Sequence, residues 1–284
     1  MNEYRPQQFS MLPLAVKNIL IINGILYLAT YTFQSVYNIE LANILGLYFP
    51  LNHHFKIWQF VTYMFMHASF DHVLFNMISF WMFGSVLENY WGLKRFLVFY
   101  FFTGIGAAIC NLAANYWTFY HVQQAAQVFL NSPTPTSLNT FIASQHLMDF
   151  RNLISLNKDY IQQWLLHPDN VQLGNNIKSL VAEYSSNLAN LDERFSDVMI
   201  GASGAVFGIL FAYGYLFPNT LIYVYFLIPL RAKYIVALMG AYEFYSAWRS
   251  TPGDNIAHLA HLGGMLFGFI LLYFWQKNNR KKFY

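Results

Sequence analysis

A chain of 284 residues that is 56% hydrophobic, 20% aromatic and only 10% charged is too apolar for an ordinary soluble domain. The formal net charge of +3 offers no basic surface for nucleic acid, and the single cysteine, Cys110, excludes an internal disulfide and a thiolate metal centre. What remains is a multi-pass membrane protein bathed by the lipid bilayer.

A helix needs about 20 apolar residues to cross the hydrocarbon core. Six windows meet that need, at 16–33, 72–91, 95–117, 199–217, 232–248 and 256–275, which predicts an all-α membrane protein built as a six-span bundle. The first window follows Arg5 and Lys17 and has no small-residue cleavage site, so it reads as a retained span rather than a signal peptide. Asp71 is placed to cap the second span, which carries His72 and Asn76 on one face and Glu88 near its inner end, where that carboxylate would serve backbone or helix-end groups. Cys110 sits within the third span as a small buried hydrophobe.

From Thr118 to Asp197 the chain turns polar, starting with the turn-rich run 131–136, so the reading is core 1–117, exterior insertion 118–198 and core 199–284. Two short amphipathic helices are predicted around Tyr160–Leu191, broken by Pro168 and Gly174. The simplest role for the insertion is packing on the exterior face; substrate gating or partner binding is the other. The fourth span opens with Gly201-Ala202-Ser203-Gly204, the apolar run Leu221–Leu230 is a connector bracketed by Pro218 and Pro229, and the sixth span carries His258 and His261.

Lys94 and Arg95, Arg231 and Lys233, and Lys277, Arg280, Lys281 and Lys282 all fall on the side of the N-terminus, whereas the short exterior connectors hold little beyond Lys56 and Arg249. Positive charge in short loops marks the cytoplasmic face. Both termini are therefore expected inside, in a bacterial cytoplasmic membrane, with the basic tail against anionic lipid.

This topology brings His72, Asn76, Ser203 and His261 to similar depth near the exterior face. Polar groups inside spans are costly and tend to share a cavity. A serine hydroxyl needs a base to become a nucleophile, and imidazole is the side chain that can act near neutral pH. Gly204 with Gly208, and Gly264 with Gly268, form small-residue rows that would let two helices touch just beyond Ser203 and His261. Gly201 permits unusual dihedrals before the serine, exposing its amide. Each feature alone is more often structural: a glycine row packs helices, a lone histidine bonds a neighbour. Their agreement in depth and order favours chemistry.

On these residues the chain resembles the rhomboid intramembrane serine proteases. The similarity lies in His72-Val73-Leu74-Phe75-Asn76, in Gly201-Ala202-Ser203-Gly204 with Gly208, and in His261-Leu262-Gly263-Gly264 with Gly268. Trp58, Thr62, His67, Gly84 and Glu88 add to it, and the stretches covered are 50–117 and 199–275. The resemblance implies a rhomboid-type bundle in which Ser203 is the nucleophile and His261 the base, a dyad without a carboxylate. It implies an oxyanion site made of His72, Asn76 and the Ser203 amide, and Phe207 as the aromatic ring against the base. His258 competes with His261 as base; only His261 has the three-then-four spacing to Gly264 and Gly268, so His258 becomes a polar support. Trp58-Gln59 departs from the family's Trp-Arg, which touches the first loop rather than catalysis.

The implied activity is endopeptidase cleavage of transmembrane protein substrates near the exterior face, without cofactor or metal. His258 and His261 resemble half a metal site, but no His-Glu-x-x-His segment accompanies them. The connector Arg249–Asn255 is expected to act as a lid. The alternatives are a proteolytically silent rhomboid-like protein that binds membrane clients, and a small transporter, for which no internal symmetry is visible.

Overall fold

The computed structural model describes residues 9–144, 158–191, 198–224, 227–249 and 255–280. The expected lid falls largely on 250–254 and lies outside the described residues. The chain divides into two compact units. One comprises Met1–Leu47, Ile57–Asn111 and Met199–Tyr284, the other Tyr48–Lys56 and Leu112–Val198.

The first unit begins with α1 (Leu14–Tyr37). Its opening N–H groups have no intrahelical acceptors, and the buried Glu88 carboxylate takes two of them: Ala15 donates to Oε1 at 2.9 Å and Val16 to Oε2 at 2.8 Å. The helix-end role expected of Glu88 is thus a cap for a different helix. After α2 (Leu41–Leu45), α3 (Gln59–Thr62) and a 3-10 turn at Tyr63–Phe65, α4 spans Phe70–Trp91 and stops at Gly92, where φ is +79°. The cap of α4 is Ser69, whose hydroxyl accepts from the His72 N–H at 3.2 Å, rather than the expected Asp71, which sits in the first turn. Phe80, Phe96, Phe99 and Tyr100, all fully buried, lock α4 to the first half of α5 (Leu93–Asn131). Ile21, Ile25, Leu28 and Tyr31 on α1 are more than half exposed, an apolar face that suits lipid.

At about 1.5 Å per residue α5 is about 58 Å long, so it runs well past the expected end at 117 and carries the chain into the second unit. That unit is helical: α6 (Pro135–Ser144), α7 (Lys158–Leu166), α8 (Val171–Ser186) and α9 (Leu188–Leu191). Its core is made of Val122, Ala126, Phe129, Leu138, Phe141, Trp164, Val181 and Tyr184. Pro168 does separate α7 from α8, whereas Gly174 lies inside α8, where a Cβ would stand 3.0 Å from the Trp164 indole nitrogen. That glycine makes room for the ring instead of ending the helix.

The first unit resumes with α10 (Ser203–Leu216), an antiparallel ribbon of β1 (Leu221–Val224) and β2 (Ile228–Arg231), α11 (Ala232–Arg249) and α12 (Asn255–Arg280). The proline-bracketed connector is therefore a hairpin, with Tyr223 paired to Pro229, and the fold departs from all-α at this point. A proline is tolerated there because a two-stranded ribbon has free edges. Among the described residues four helices are long and apolar enough to cross a membrane: α1, α4, α5 and residues His258–Lys277 of α12; α10 is apolar but has 14 residues.

Glycines set how α10 meets α12. A Cβ on Gly264 would overlap the Gly204 carbonyl oxygen, and one on Gly208 would lie 3.0 Å from the Gly264 oxygen. Gly268 faces the Gly208 backbone, its Cβ position 3.5 Å from the Gly208 Cα. The two helices meet backbone to backbone.

Candidate active site

The chain just before α10 is held on both sides, and Ala202 already has helical dihedrals (φ −75°, ψ −8°). Leu47 and Met199 exchange two backbone hydrogen bonds of 2.9 Å, and the Gly201 N–H donates to the Tyr63 carbonyl at 2.9 Å. Tyr63 is itself anchored through its hydroxyl, which donates to the Gly104 carbonyl at 2.7 Å. Gly201 has φ +129°, a conformation side chains rarely adopt. Space imposes glycine there too, since a Cβ would lie 3.0 Å from both Cε1 and Nε2 of His72 and 3.7 Å from the Ser203 hydroxyl. Gly201 is the common wall between imidazole and alcohol.

Ser203 is the first residue of α10 and is half-buried. Its N–H belongs to the first turn, whose donors have no intrahelical acceptor, at the end of the helix that favours negative charge. On α4, the Ala68 N–H approaches His72 Nδ1 at 3.5 Å. When Nδ1 accepts, the neutral ring carries its proton on Nε2, the atom on the Gly201 side. Asn76, buried, follows one turn later on the same helix. His67 packs edge-on against His72 with centroids 5.0 Å apart. Burial lowers its pKa to about 4, so it packs as a neutral ring.

His261 stacks on Phe207 with ring centroids 4.0 Å apart and planes 9° from parallel. Phe207 is one turn beyond Ser203 on α10. A Cβ on Gly204 would lie 3.4 Å from the Ala260 carbonyl oxygen, so the residue after Ser203 meets the residue before His261. The side chains singled out on α10 and α12 thus flank a direct backbone contact.

Glu243 of α11 was not anticipated. Its Oε2 lies 2.5 Å from Nδ1 of His258, a hydrogen bond, and 3.0 Å from Nδ1 of His261, close but off the hydrogen-bond angle. The three side chains are 7%, 9% and 14% exposed for Glu243, His258 and His261, so these polar groups answer one another in a dry setting. A carboxylate beside His261 departs from the carboxylate-free dyad implied by the resemblance. The signal was present in the sequence as an acidic residue inside an apolar window, a pattern that marks function by default. One potential ligand atom from each of these residues lies within 4.8 Å of the others, making this a group among the described residues able to hold a cation.

The first loop is held by side chains of α3. Gln59 is buried, and its amide donates to the Ile44 carbonyl at 3.4 Å, while the Thr62 hydroxyl donates to the Leu45 carbonyl at 2.5 Å.

Comparison with known proteins gives one consistent answer. The family model described as Rhomboid domain matches residues 54–122 and 170–278. Rhomboid-like protein 11, chloroplastic, from Arabidopsis thaliana is 38% identical over 94 residues, which are 33% of this chain and 31% of the relative. YdcA of Bacillus subtilis (strain 168) is 33% identical over 72 residues, 25% of this chain and 36% of the relative. Rhomboid-like protease 3 of Toxoplasma gondii is 31% identical over 70 residues, 25% of this chain and 27% of the relative. The aligned stretches span about a third of each relative's length.

Proposed function

The chain belongs to the rhomboid family, and from that membership and the site geometry we propose that it is an intramembrane serine endopeptidase that cuts transmembrane segments of other proteins. In this reading α1, α4, α5, α10, α11 and α12 are six spans, both termini are cytoplasmic and the site opens to the exterior side. The polar insertion at 118–198 is exterior in this reading.

Ser203 attacks a substrate carbonyl while His261 accepts its proton and later delivers it to the leaving amine. The His72 Nε2–H, the Asn76 amide and the Ser203 N–H receive the negative charge on the tetrahedral oxygen. Phe207 orients the His261 ring by stacking, and His258 supports it. The observation that carries this reading is the common wall at Gly201, with His72 and the Ser203 hydroxyl on it, next to a helix seam that sets His261 one turn along against Phe207. The α10 N-terminus adds preorganised positive potential where the oxyanion forms.

A substrate helix hides its peptide bonds in internal hydrogen bonds, so it must unwind before attack. Substrates are therefore expected to carry helix-weakening residues near the exterior face.

Labelling of the intact chain by a serine-reactive phosphonate, together with cleavage of a generic transmembrane substrate in liposomes, tests the reading. Both are expected, and both are lost in Ser203→Ala. A folded chain that neither labels nor cleaves would turn the assignment to the silent, client-binding alternative.

A further inference from the structure

Two acidic side chains are deeply buried among the described residues, Glu88 and Glu243. An unpaired carboxylate is expensive in such surroundings, so each has a partner set that explains it. Glu88 caps α1 through two backbone N–H groups. Glu243 faces two imidazoles of α12 through a single oxygen.

The separations found are those of groups that share a proton. Two donors bound to one tetrahedral zinc at about 2.0–2.1 Å would stand about 3.3 Å apart. The Glu243–His258 separation of 2.5 Å is that of a charge-assisted hydrogen bond. The His261 separation of 3.0 Å needs only a small ring rotation to join it.

The geometry points to Glu243 as a positioning residue for the proteolytic reaction: its carboxylate holds the His261 ring with the proton on Nδ1 and steadies the imidazolium formed when Ser203 attacks. This rests on the assignment of Ser203 and His261 proposed above. A carboxylate at Nδ1 fixes the tautomer whose Nε2 lone pair is free to take the Ser203 proton. In the step itself the Ser203 oxygen bonds to the carbonyl carbon, its proton moves to Nε2, and the imidazolium keeps its Nδ1 proton, now pointing at Glu243. The carboxylate stays ionised throughout. His258 shares the same oxygen from the preceding turn of α12, its ring edge-on to Tyr242 with centroids 6.0 Å apart. Phe207 covers the flat face of His261. The base is thus covered on one face and has a carboxylate within reach of one nitrogen, leaving the other for chemistry.

The test is steady-state cleavage of a transmembrane substrate by the full chain in liposomes, with kcat and KM separated. Glu243→Gln, which keeps shape and removes charge, is expected to lower kcat by roughly 10²–10⁴, the scale known for removing the carboxylate from a serine triad, with KM within threefold. Glu243→Asp restores the charge and should recover at least tenfold over Glu243→Gln. His258→Gln should cost at least tenfold less than Glu243→Gln. Should Glu243→Gln fail to fold, Glu243→Asp carries the test alone, with a lowered kcat at unchanged KM expected against the parent chain.

Retention of the parent kcat by folded Glu243→Gln overturns the inference, as does parent-like kcat in Glu243→Asp where Glu243→Gln does not fold. So does equal loss in His258→Gln, which would make Glu243 a partner of His258 only. Ser203→Ala separates the two levels. If Ser203→Ala still cleaves, the dyad assignment falls; if it is dead while Glu243→Gln turns over normally, only the role of Glu243 falls.

Discussion

The α10–α12 seam and the unit at 112–198 are packed by opposite means. Along the seam Gly204, Gly208, Gly264 and Gly268 bring backbones into contact. The other unit fills its interior with Phe129, Phe141, Trp164 and Tyr184. Lipid gives apolar side chains no reason to cluster, so spans associate through close backbone packing. In water, large buried side chains supply the drive, about 25 cal/mol per Å² of apolar surface. Ordinary side chains would hold two helices about 8–10 Å apart, whereas the glycine seam closes that gap at the level of Ser203 and His261. In the proposed reading the seam serves the site, and the second unit packs as a domain exposed to water.

Trp164→Ala probes the second region and carries the largest expected cost in stability. Removing the ring, which packs on Phe129 and over Gly174, should destabilise that unit by about 3–5 kcal/mol. Phosphonate labelling of Ser203 should change by less than threefold. Equal loss in both readouts would break the contrast.

Gly264→Ala probes the seam. Its methyl overlaps the Gly204 carbonyl oxygen, so the helices must part, at about 1–3 kcal/mol in thermal denaturation. Turnover should fall at least about a hundredfold, the scale of a 1 Å misplacement. A parent-like kcat would show that the close approach is not what aligns the site.

Ser69→Ala is the smallest change. Loss of the α4 cap should lower stability by about 1 kcal/mol, with a modest fall in turnover because His72 lies in that first turn. A shift in the thermal midpoint without change in kcat would show that His72 is held by its ring contacts alone.

Much of the candidate site could be read from the chain because the constraints on its residues are local. A glycine two residues before the serine, an aromatic ring one turn after it and glycines at three- and four-residue spacing each impose their condition along a single helix. Glu243 escaped because its partners lie on another helix, His261 being 18 residues further along, and spacing rules do not cross a connector. The length of α5 was missed for a different reason. Beyond 117 the helix continues in Gln123, Gln124, Ala125 and Ala126, good helix formers, while Val122, Ala126 and Phe129 turn inward, so polarity rose without a break in helical rhythm. Gly174 was misread because a glycine that admits a ring looks the same in sequence as one that ends a helix. The hairpin at 221–231 was hidden by its apolar composition, which serves a short strand pair as well as a connector.

The central claim is that Ser203 and His261 form one chemical unit. Parallel phosphonate labelling and substrate cleavage in liposomes, comparing the parent chain with Ser203→Ala, His261→Ala and His258→Ala, tests it most directly. The account predicts that the parent labels and cleaves, that Ser203→Ala and His261→Ala do neither, and that His258→Ala keeps measurable turnover. Labelling that survives Ser203→Ala, or turnover that survives His261→Ala but vanishes in His258→Ala, would contradict it.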